Sequence, residues 1–233
     1  MLIFIDVETT GLEESDRLCS VALLDKERAR YELLNEGKKI PSIASSIHHI
    51  TNEMIQDKAA FEASEIYKYL NECNKEENTL VAHNASFDLK MLASSGFVWQ
   101  GDVIDTLKVT KHLISECELF SLQFLRYDLK LYKEEDRLLQ KYGIKDALCS
   151  HNALADVVVT KLLFEYLLDI SYVDSMKELS FKPVLLQKLT FGKYLGHYIE
   201  DIANSDRGYL MWLLSLSELD EDLRYSIEYY IEG

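Results

Sequence analysis

The first third of the chain alternates between apolar runs and short polar connections, a pattern that predicts strands. The run LIFIDVE is apolar and partly β-branched, as is typical of a buried strand. Two further runs, RLCSVALLD and RARYELLN, are joined by a short DKE connection and predict a meander. Residues 35–50 contain Gly37, Pro41 and several serines, so we expect a loop there.

From Thr51 onward the apolar positions recur every three to four residues, which indicates helices interrupted by short strands. Strands first and then helices alternating with strands predict an α/β domain with a mixed sheet. The elements are a helix in FEASEIYKYLNEC, a strand in ENTLVAHN, a helix in ASFDLKMLASSGF, a strand in VIDT leading into a helix to about residue 114, a helix in SLQFLRYDL and a long apolar helix over 152–168.

The pattern changes again near the C-terminus. Residues 171–188 lose clear periodicity and contain Pro183, so we predict a domain over 1–170, a linker over 171–188 and a small unit over 189–233. The small unit is rich in aromatic rings, which would either form a miniature core or provide a platform on which bases stack while Lys193 meets phosphate. The rings belong to Phe191, Tyr194, Tyr198, Tyr209, Trp212, Tyr225, Tyr229 and Tyr230.

Net charge narrows the range of partners. The chain carries −15, with 19 basic and 29 acidic residues in 1–170 and 6 and 11 in 171–233. Neither part resembles a basic arm, which disfavours tight and non-specific coating of a long nucleic acid. Engagement of a strand end at a metal centre stays compatible with this charge, because bound dications reverse the local sign.

The N-terminus and the cysteines bear on location. MLIFID has no basic segment and only a short apolar run, so we expect neither a signal peptide nor a membrane span. The four cysteines (19, 73, 117 and 149) show no CxxC spacing, which favours free thiols in a reducing cytosol over a zinc site. We therefore expect a cytoplasmic protein.

Carboxylates stand at the ends of two predicted elements. Asp6 and Glu8 are two residues apart on a strand, so both side chains leave the same face, and Thr9–Thr10–Gly11 would form the turn that follows. Asp88 lies one turn into a helix beside Phe87, and Asn84 is expected to cap that helix. Taken separately, these are also the features of an acidic strand edge and of an aspartate at a helix N-terminus.

A histidine and a further aspartate stand at the start of the last long helix. His151 and Asp156 are five residues apart, so Asp156 would face the strand ends while His151 precedes the helix. An imidazole titrates near neutral pH and suits proton abstraction from water. Four carboxylates, enough for two divalent cations, together with such a base are what metal-assisted phosphodiester cleavage requires.

Three stretches that contain these residues carry a family resemblance. FIDVETTGL, VAHNASFDLKML and HNALADVVVT resemble the ExoI, ExoII and ExoIII motifs of the DEDD 3′→5′ exonucleases. A histidine five residues before the last aspartate, in place of a tyrosine four before it, resembles the DEDDh branch. SIHHITNEMIQDK is similar to the substrate-loop region of that family, and IDT at 104–106 to a further recurring patch. The resemblance covers about the first 168 residues and implies a ribonuclease H-like mixed sheet flanked by helices.

The resemblance also implies roles for these residues. Asp6, Glu8, Asp88 and Asp156 would hold two Mg²⁺ ions, for which Mn²⁺ would substitute, and His151 would act as general base. The product would be 5′-mononucleotides. The substrate-binding positions would be Thr9, Thr10, Gly11, Leu12, His49, Ile50, Asn84 and Phe87.

The implied partner is DNA with single-stranded or duplex 3′ ends, in repair or end trimming. FGKYLG followed by DRGYLMWLL resembles the small α-rich C-terminal module of a bacterial DNA exonuclease, except that Leu195 and His197 stand where basic residues are usual. An exoribonuclease or proofreading subunit stays open, since recognition of the 2′-hydroxyl is local. A non-catalytic end-binding protein would be expected to lack one of the five site residues. A calcium-binding domain would need a D-x-D-x-D-G loop that this chain lacks.

Overall fold

A computed structural model describes residues 1–145 and 151–232, and the chain divides into two compact units, Met1–Ser180 and Phe181–Gly233. The first unit is built around a sheet in the order β3-β2-β1-β4-β5. β1 pairs antiparallel with β2 and parallel with β4, which confirms the predicted mixed sheet. Its strands are β1 Leu2–Thr9, β2 Leu18–Leu24, β3 Ala29–Leu33, β4 Thr79–Ala82 and β5 Asp102–Asp105.

Helices cover both faces of this sheet. The helices predicted between residues 61 and 129 and over 152–168 are present near their predicted bounds, and the long apolar helix is Ala153–Leu168. The helices at Ser42–His48, Glu135–Tyr142 and Val173–Leu179 were not predicted. The helices of the first unit are α1 Ser42–His48, α2 Asn52–Ile55, α3 Glu65–Cys73, α4 Ala85–Ser94, α5 Thr106–Leu113, α6 Leu122–Asp128, α7 Glu135–Tyr142, α8 Ala153–Leu168 and α9 Val173–Leu179, with 3₁₀ turns at Phe61–Ala63 and Leu131–Glu134.

Side-chain alternation along β1 divides the core into two layers. Ile3, Ile5 and Val7 point into one apolar cluster, and Phe4 points into the other, which is the cluster that α8 fills. Because successive strand residues face opposite sides, positions 6 and 8 share the face of Phe4 and lie on the side covered by α8. The same alternation that builds the core therefore directs two carboxylates towards the start of α8.

The loop predicted over 35–50 is wrong for its second half, because α1 occupies Ser42–His48. Pro41 takes the N-cap position, where a missing N–H costs little, and its carbonyl accepts from the Ser45 N–H at 3.1 Å. Ala44 and His48, four residues apart, are buried on one face of the helix. The serines favour a loop when the sequence is considered alone. In the structure the segment is helical, and this buried pair anchors it.

Residues 171–188, predicted as a linker, are distributed over both units. α9 packs against β5 and α5 in the first unit. In the second unit, the Val184 N–H donates to Asp222 at 2.9 Å and the Leu186 N–H to Ser226 at 2.7 Å. Ordered contacts therefore extend through most of this segment.

The second unit is α-rich, as predicted. Its helices are α10 Ile199–Ser205, α11 Arg207–Leu214 and α12 Glu221–Glu232. They enclose a small core centred on Leu189, Ile199, Leu210 and Ile227. The aromatic rings fall into two groups: three pack on this core, Tyr194, Tyr209 and Tyr230, and five are exposed, Phe191, Tyr198, Trp212, Tyr225 and Tyr229.

Two smaller expectations concern membranes and thiols. In the part of the chain that the structure describes, each helix is too short or too polar to cross a bilayer. Cys19 and Cys73 are free and buried, and Cys117 is free and half-buried, as expected for unpaired thiols. Cys149 lies outside the described residues.

Candidate metal centre

Asp6 and Glu8 lie on the end of β1 that extends past its neighbour. β4 pairs with β1 only through Leu2, Ile3 and Phe4, whereas β2 continues alongside β1 as far as Thr9. Beyond Phe4, the β4 side of the central strand is therefore open, and the two half-buried carboxylates stand at this opening.

Asp156 reaches the same place from the first turn of α8. The Asn152 side chain caps this helix, accepting from the Leu154 N–H at 3.1 Å and the Ala155 N–H at 3.4 Å. α8 packs along β1 and β2, so its N-terminal turn lies over the carboxylates of the strand. One carboxylate oxygen from each of Asp6, Glu8 and Asp156 lies within 4.8 Å of the others.

Asp88 lies beside this group. It occupies the first turn of α4 and is only 3% exposed. It does not belong to the three carboxylates that converge within 4.8 Å. Its negative charge nevertheless raises the pKa of Asp6, as the largest cause after burial. The four predicted acidic residues therefore gather at one site, three in close approach and the fourth within electrostatic reach.

Burial and mutual repulsion make it costly for these carboxyl groups to ionise in the absence of a cation. Burial raises the pKa of Asp6 well above its ordinary value and, with the charge of Asp156, raises the pKa of Glu8 to about 8. In the described part of the chain, no lysine or arginine forms an ion pair with Asp6, Glu8 or Asp88. A divalent cation with oxygen ligands fits this set, because it would supply the missing positive charge.

His151 stands immediately before the capping residue of α8. It is exposed and has a left-handed backbone, with φ of 57°. The positive charge of a protonated His151 lowers the pKa of Asp156 and opposes the effect of burial, so the two side chains lie within electrostatic reach. This is the placement that the five-residue spacing predicts.

The last residue of β1 and the turn after it hold four predicted substrate-binding residues, and Asp16 braces this turn. The Asp16 carboxylate accepts from the Thr10 hydroxyl at 2.8 Å, and a β-carbon on Gly11 would lie 2.4 Å from it, so a larger residue at position 11 would displace Asp16. The Thr9 hydroxyl donates to the Gly11 carbonyl at 2.6 Å. Leu12, by contrast, is 78% exposed. Thr9 and Thr10 are buried, so Leu12 has the side chain that is free to contact a ligand.

The other predicted substrate-binding residues differ in accessibility. His49 is exposed at the end of α1, whereas Ile50 is 2% exposed and its N–H donates to His48 Nδ1 at 3.0 Å. Phe87 is half-buried and packs against the core. Asn84 is exposed and makes no capping hydrogen bond, so the prediction that its side chain caps α4 is wrong.

The cap comes from Asp105 instead. Its carboxylate accepts from the backbone N–H groups of Asn84 at 3.0 Å and Ala85 at 3.1 Å, and also from that of Leu107 at 2.9 Å. One buried side chain thus fixes the N-termini of both α4 and α5. The IDT patch marked this stretch, but its role depends on the pairing of β4 with β5, which brings Asp105 beside Ala82.

A second residue missed from the sequence is Gln123 on α6. Its Nε2 donates to Asp156 Oδ1 at 2.6 Å, and this hydrogen bond lowers the pKa of Asp156. Arg126, one turn further along α6, contributes a positive charge that acts in the same direction. Their spacing places both on one face of the helix, but nothing in the sequence identifies Asp156 as their neighbour.

Comparisons with known proteins identify the family of this chain. The model of the exonuclease family matches residues 3–164. Over 240 residues, the chain is 30% identical to exodeoxyribonuclease 10 of Escherichia coli K12, covering 100% of both chains. It is 25% identical over 216 residues to the 3′-5′ exonuclease DinG of Bacillus subtilis, covering 87% of this chain and 20% of that protein.

A solved structure extends the likeness to the fold. The structure of exonuclease X in complex with 5′-overhanging duplex DNA superimposes with a TM-score of 0.61 and 27% identity, over 77% of this chain and 99% of that one. The family match covers the sheet and the helices that carry Asp6, Glu8, Asp88 and Asp156, and the relationship to exodeoxyribonuclease 10 spans both units. This protein belongs to the exonuclease family.

Proposed function

We propose that this protein is a metal-dependent 3′→5′ exonuclease that removes 5′-mononucleotides from the 3′ ends of DNA. The observation that carries the proposal is the convergence of carboxylate oxygens of Asp6, Glu8 and Asp156 within 4.8 Å at the open end of β1. Family membership supports the reaction class. The DNA named for exodeoxyribonuclease 10 and for the exonuclease X complex supports the substrate.

Each residue would have a distinct task. Asp6, Glu8 and Asp156 would ligate two Mg²⁺ ions, with Asp88 helping to hold the second, and Mn²⁺ would substitute. When bound, these ions would supply Lewis acidity to the scissile phosphate and neutralise its charge. His151, exposed beside Asp156, would take the proton from the attacking water.

Substrate selection would use the accessible residues around the carboxylates. Leu12 is exposed in the turn after Glu8 and would pack against the terminal base or sugar. The exposed His49 and Asn84 would offer polar contacts to the backbone of the strand end. Thr9 and Thr10 would act by fixing the turn, since both hydroxyls have internal partners.

The decisive experiment compares Asp156→Ala with the wild type on DNA labelled at its 3′-terminal nucleotide. The variant should keep its far-ultraviolet circular dichroism and lose Mg²⁺-dependent release of labelled mononucleotide by more than about 100-fold, because it lacks a direct ligand. Asp136→Ala is the matched control, since Asp136 is an exposed aspartate in the first turn of α7. Full activity of Asp156→Ala would refute the mechanism.

Matched substrates separate the alternatives. Time courses with single-stranded DNA, duplex DNA and RNA of one sequence should show cleavage of both DNA forms exceeding that of RNA. Preferred cleavage of RNA would favour an exoribonuclease, and binding without cleavage would favour an end-binding protein. The cytoplasmic location and the role in repair stay predictions from the sequence.

A further inference from the structure

Asp156 is held from behind by a hydrogen-bonded chain that begins at Gln123. Gln123 is half-buried on α6, and its Nε2 donates to Asp156 Oδ1 at 2.6 Å. This bond engages one oxygen of the carboxylate from the side of α6. A carboxylate held in this way already has one orientation before metal binds. A flexible carboxylate would have to be ordered when metal binds.

Arg126 fixes the amide of Gln123 in turn. Arg126 Nη1 donates to Gln123 Oε1 at 3.2 Å. An arginine has only donors, so the amide atom that faces it must be the oxygen. The NH₂ group must therefore face Asp156, where it meets an acceptor. The charges of Arg126 and Asp156 thus select one of the two possible orientations of the glutamine amide.

Glu135 completes the chain by holding Arg126. Its two carboxylate oxygens accept from Arg126 Nε at 2.5 Å and Nη2 at 2.7 Å, a bidentate pair in which both residues are less than 10% exposed. Glu135 is the first residue of α7, so the chain links α6 and α7 to the start of α8. A buried ion pair is often no more stabilising than apolar residues of the same volume. The pair therefore matters more for the fixed orientation that it gives Arg126 than for stability.

We propose that Gln123 is a positioning residue for the metal ligand Asp156, and that the buried Arg126–Glu135 pair acts on the metal site by orienting the Gln123 amide. The inference rests on the proposed function, since it takes Asp156 to be a ligand. It adds residues that do not themselves touch metal or substrate. Loss of such a supporting hydrogen bond in metalloproteins typically weakens metal binding by about 10- to 100-fold.

The test replaces Gln123 with methionine, which has nearly the same length and volume but no amide. Gln140→Met is the matched control, because Gln140 is an exposed glutamine on α7. Mn²⁺ binding to the full chain is measured by isothermal titration calorimetry without DNA, and thermal unfolding is measured in EDTA. We expect the Mn²⁺ dissociation constant of Gln123→Met to rise at least about 10-fold. The control should match the wild type, and both variants should unfold in EDTA within a few degrees of it.

The inference would be overturned if Gln123→Met left the Mn²⁺ dissociation constant unchanged, with or without a lower unfolding temperature. Gln123 would then be a residue that only links α6 to α8. This outcome differs from failure of the proposed function. In that case the wild type itself would release no nucleotides from a labelled 3′ end in Mg²⁺, whatever the variants do.

A double variant tests the part played by Arg126. Arg126→Lys keeps the charge but cannot hold Glu135 with two donors and also reach Gln123. It should therefore weaken Mn²⁺ binding severalfold in the wild-type background. In the Gln123→Met background the same substitution should have almost no further effect, because the route through the amide is already lost. Additive losses in the double variant would show that Arg126 acts on the site by a route independent of the Gln123 amide and would overturn that part of the proposal.

Discussion

Replacing Glu8 with glutamine should stabilise the metal-free protein at alkaline pH, although it removes a proposed metal ligand. Burial and the charge of Asp156 raise the pKa of Glu8 from 4.5 to about 8. In the unfolded chain the same carboxyl group ionises near 4.5. Between these two values the unfolded state readily loses a proton that the folded state retains, and the folded state becomes relatively less stable.

The sign and size follow from proton linkage. Below about pH 4.5 the carboxyl group is protonated in both states, so glutamine and glutamic acid are nearly equivalent. The free energy of unfolding of the wild type then falls as the pH rises from 4.5 to about 8 and levels off above that. At about 1.36 kcal/mol per pH unit, the full difference approaches roughly 5 kcal/mol. Because the glutamine amide is desolvated much as the protonated carboxyl group is, we expect a gain of roughly 3–5 kcal/mol for the variant at pH 9.

The assay must report on the first unit alone. The chain has two tryptophans, Trp99 packed in the first unit and Trp212 in the second, so a Trp212→Phe background leaves Trp99 as the fluorescent probe. Urea unfolding is followed in EDTA at pH 5 and pH 9 for this background, with and without Glu8→Gln. Glu76→Gln, which changes an exposed glutamate, is the control and should be neutral at both pH values.

Mg²⁺ provides the second half of the test. The ion should stabilise the parent protein at pH 9, because it offsets the repulsion among the carboxylates, and should stabilise Glu8→Gln far less. Equal stabilities of the parent and Glu8→Gln at pH 9 in EDTA would refute the reasoning. So would a gain at pH 5 as large as that at pH 9, since it would have no electrostatic origin.

Three further outcomes follow from the structure. His151→Ala should slow single-turnover cleavage by about 100-fold or more while leaving Mn²⁺ affinity within a few-fold, and an unchanged rate near neutral pH would remove it as the base. Asp105→Ala should lower the free energy of unfolding by about 2–4 kcal/mol, because three backbone donors lose their acceptor. Asp105→Asn should lower it less, and equal losses in urea titrations would contradict the capping role. Trp212, which is 54% exposed beside Tyr209, should stack on unpaired bases. In a His151→Ala background, which should bind metal but cleave slowly, Trp212→Ala should therefore weaken oligothymidylate binding in Mg²⁺ by about fivefold or more. Unchanged affinity with lower stability would assign this ring to packing.

Periodicity in the sequence was enough to predict the elements that carry the carboxylates. The alternation in β1 puts Asp6 and Glu8 on one face, and the long apolar run predicts α8 with Asp156 in its first turn. Helix α1 was missed because its buried face has only Ala44 and His48, too few apolar positions to show a period. Local pattern is informative where a long element has a strong period, and weak where a short element depends on its neighbours.

The residues that support the site could not be predicted in the same way. Asp105 caps a helix that begins 20 residues earlier, and Gln123 contacts an aspartate 33 residues later. Such contacts depend on strand order and helix packing, which a single sequence does not encode as a spacing. The carboxylates could be found because they lie within motifs, whereas their supports are defined only by the folded chain.

A net charge of −15 is compatible with a DNA substrate if metal ions, and not a basic protein surface, meet the phosphate. Without metal, the carboxylates at the end of β1 raise one another's pKa and offer a phosphate no attraction. Two bound dications would neutralise the four carboxylates and present cationic centres to a phosphate, while the rest of the acidic surface would be unchanged. A strand is then attracted only where its phosphate can reach the metal, within a screening length of about 8 Å at physiological salt. An acidic surface thus disfavours binding along the length of DNA and leaves the metal centre as the place where a strand end is held.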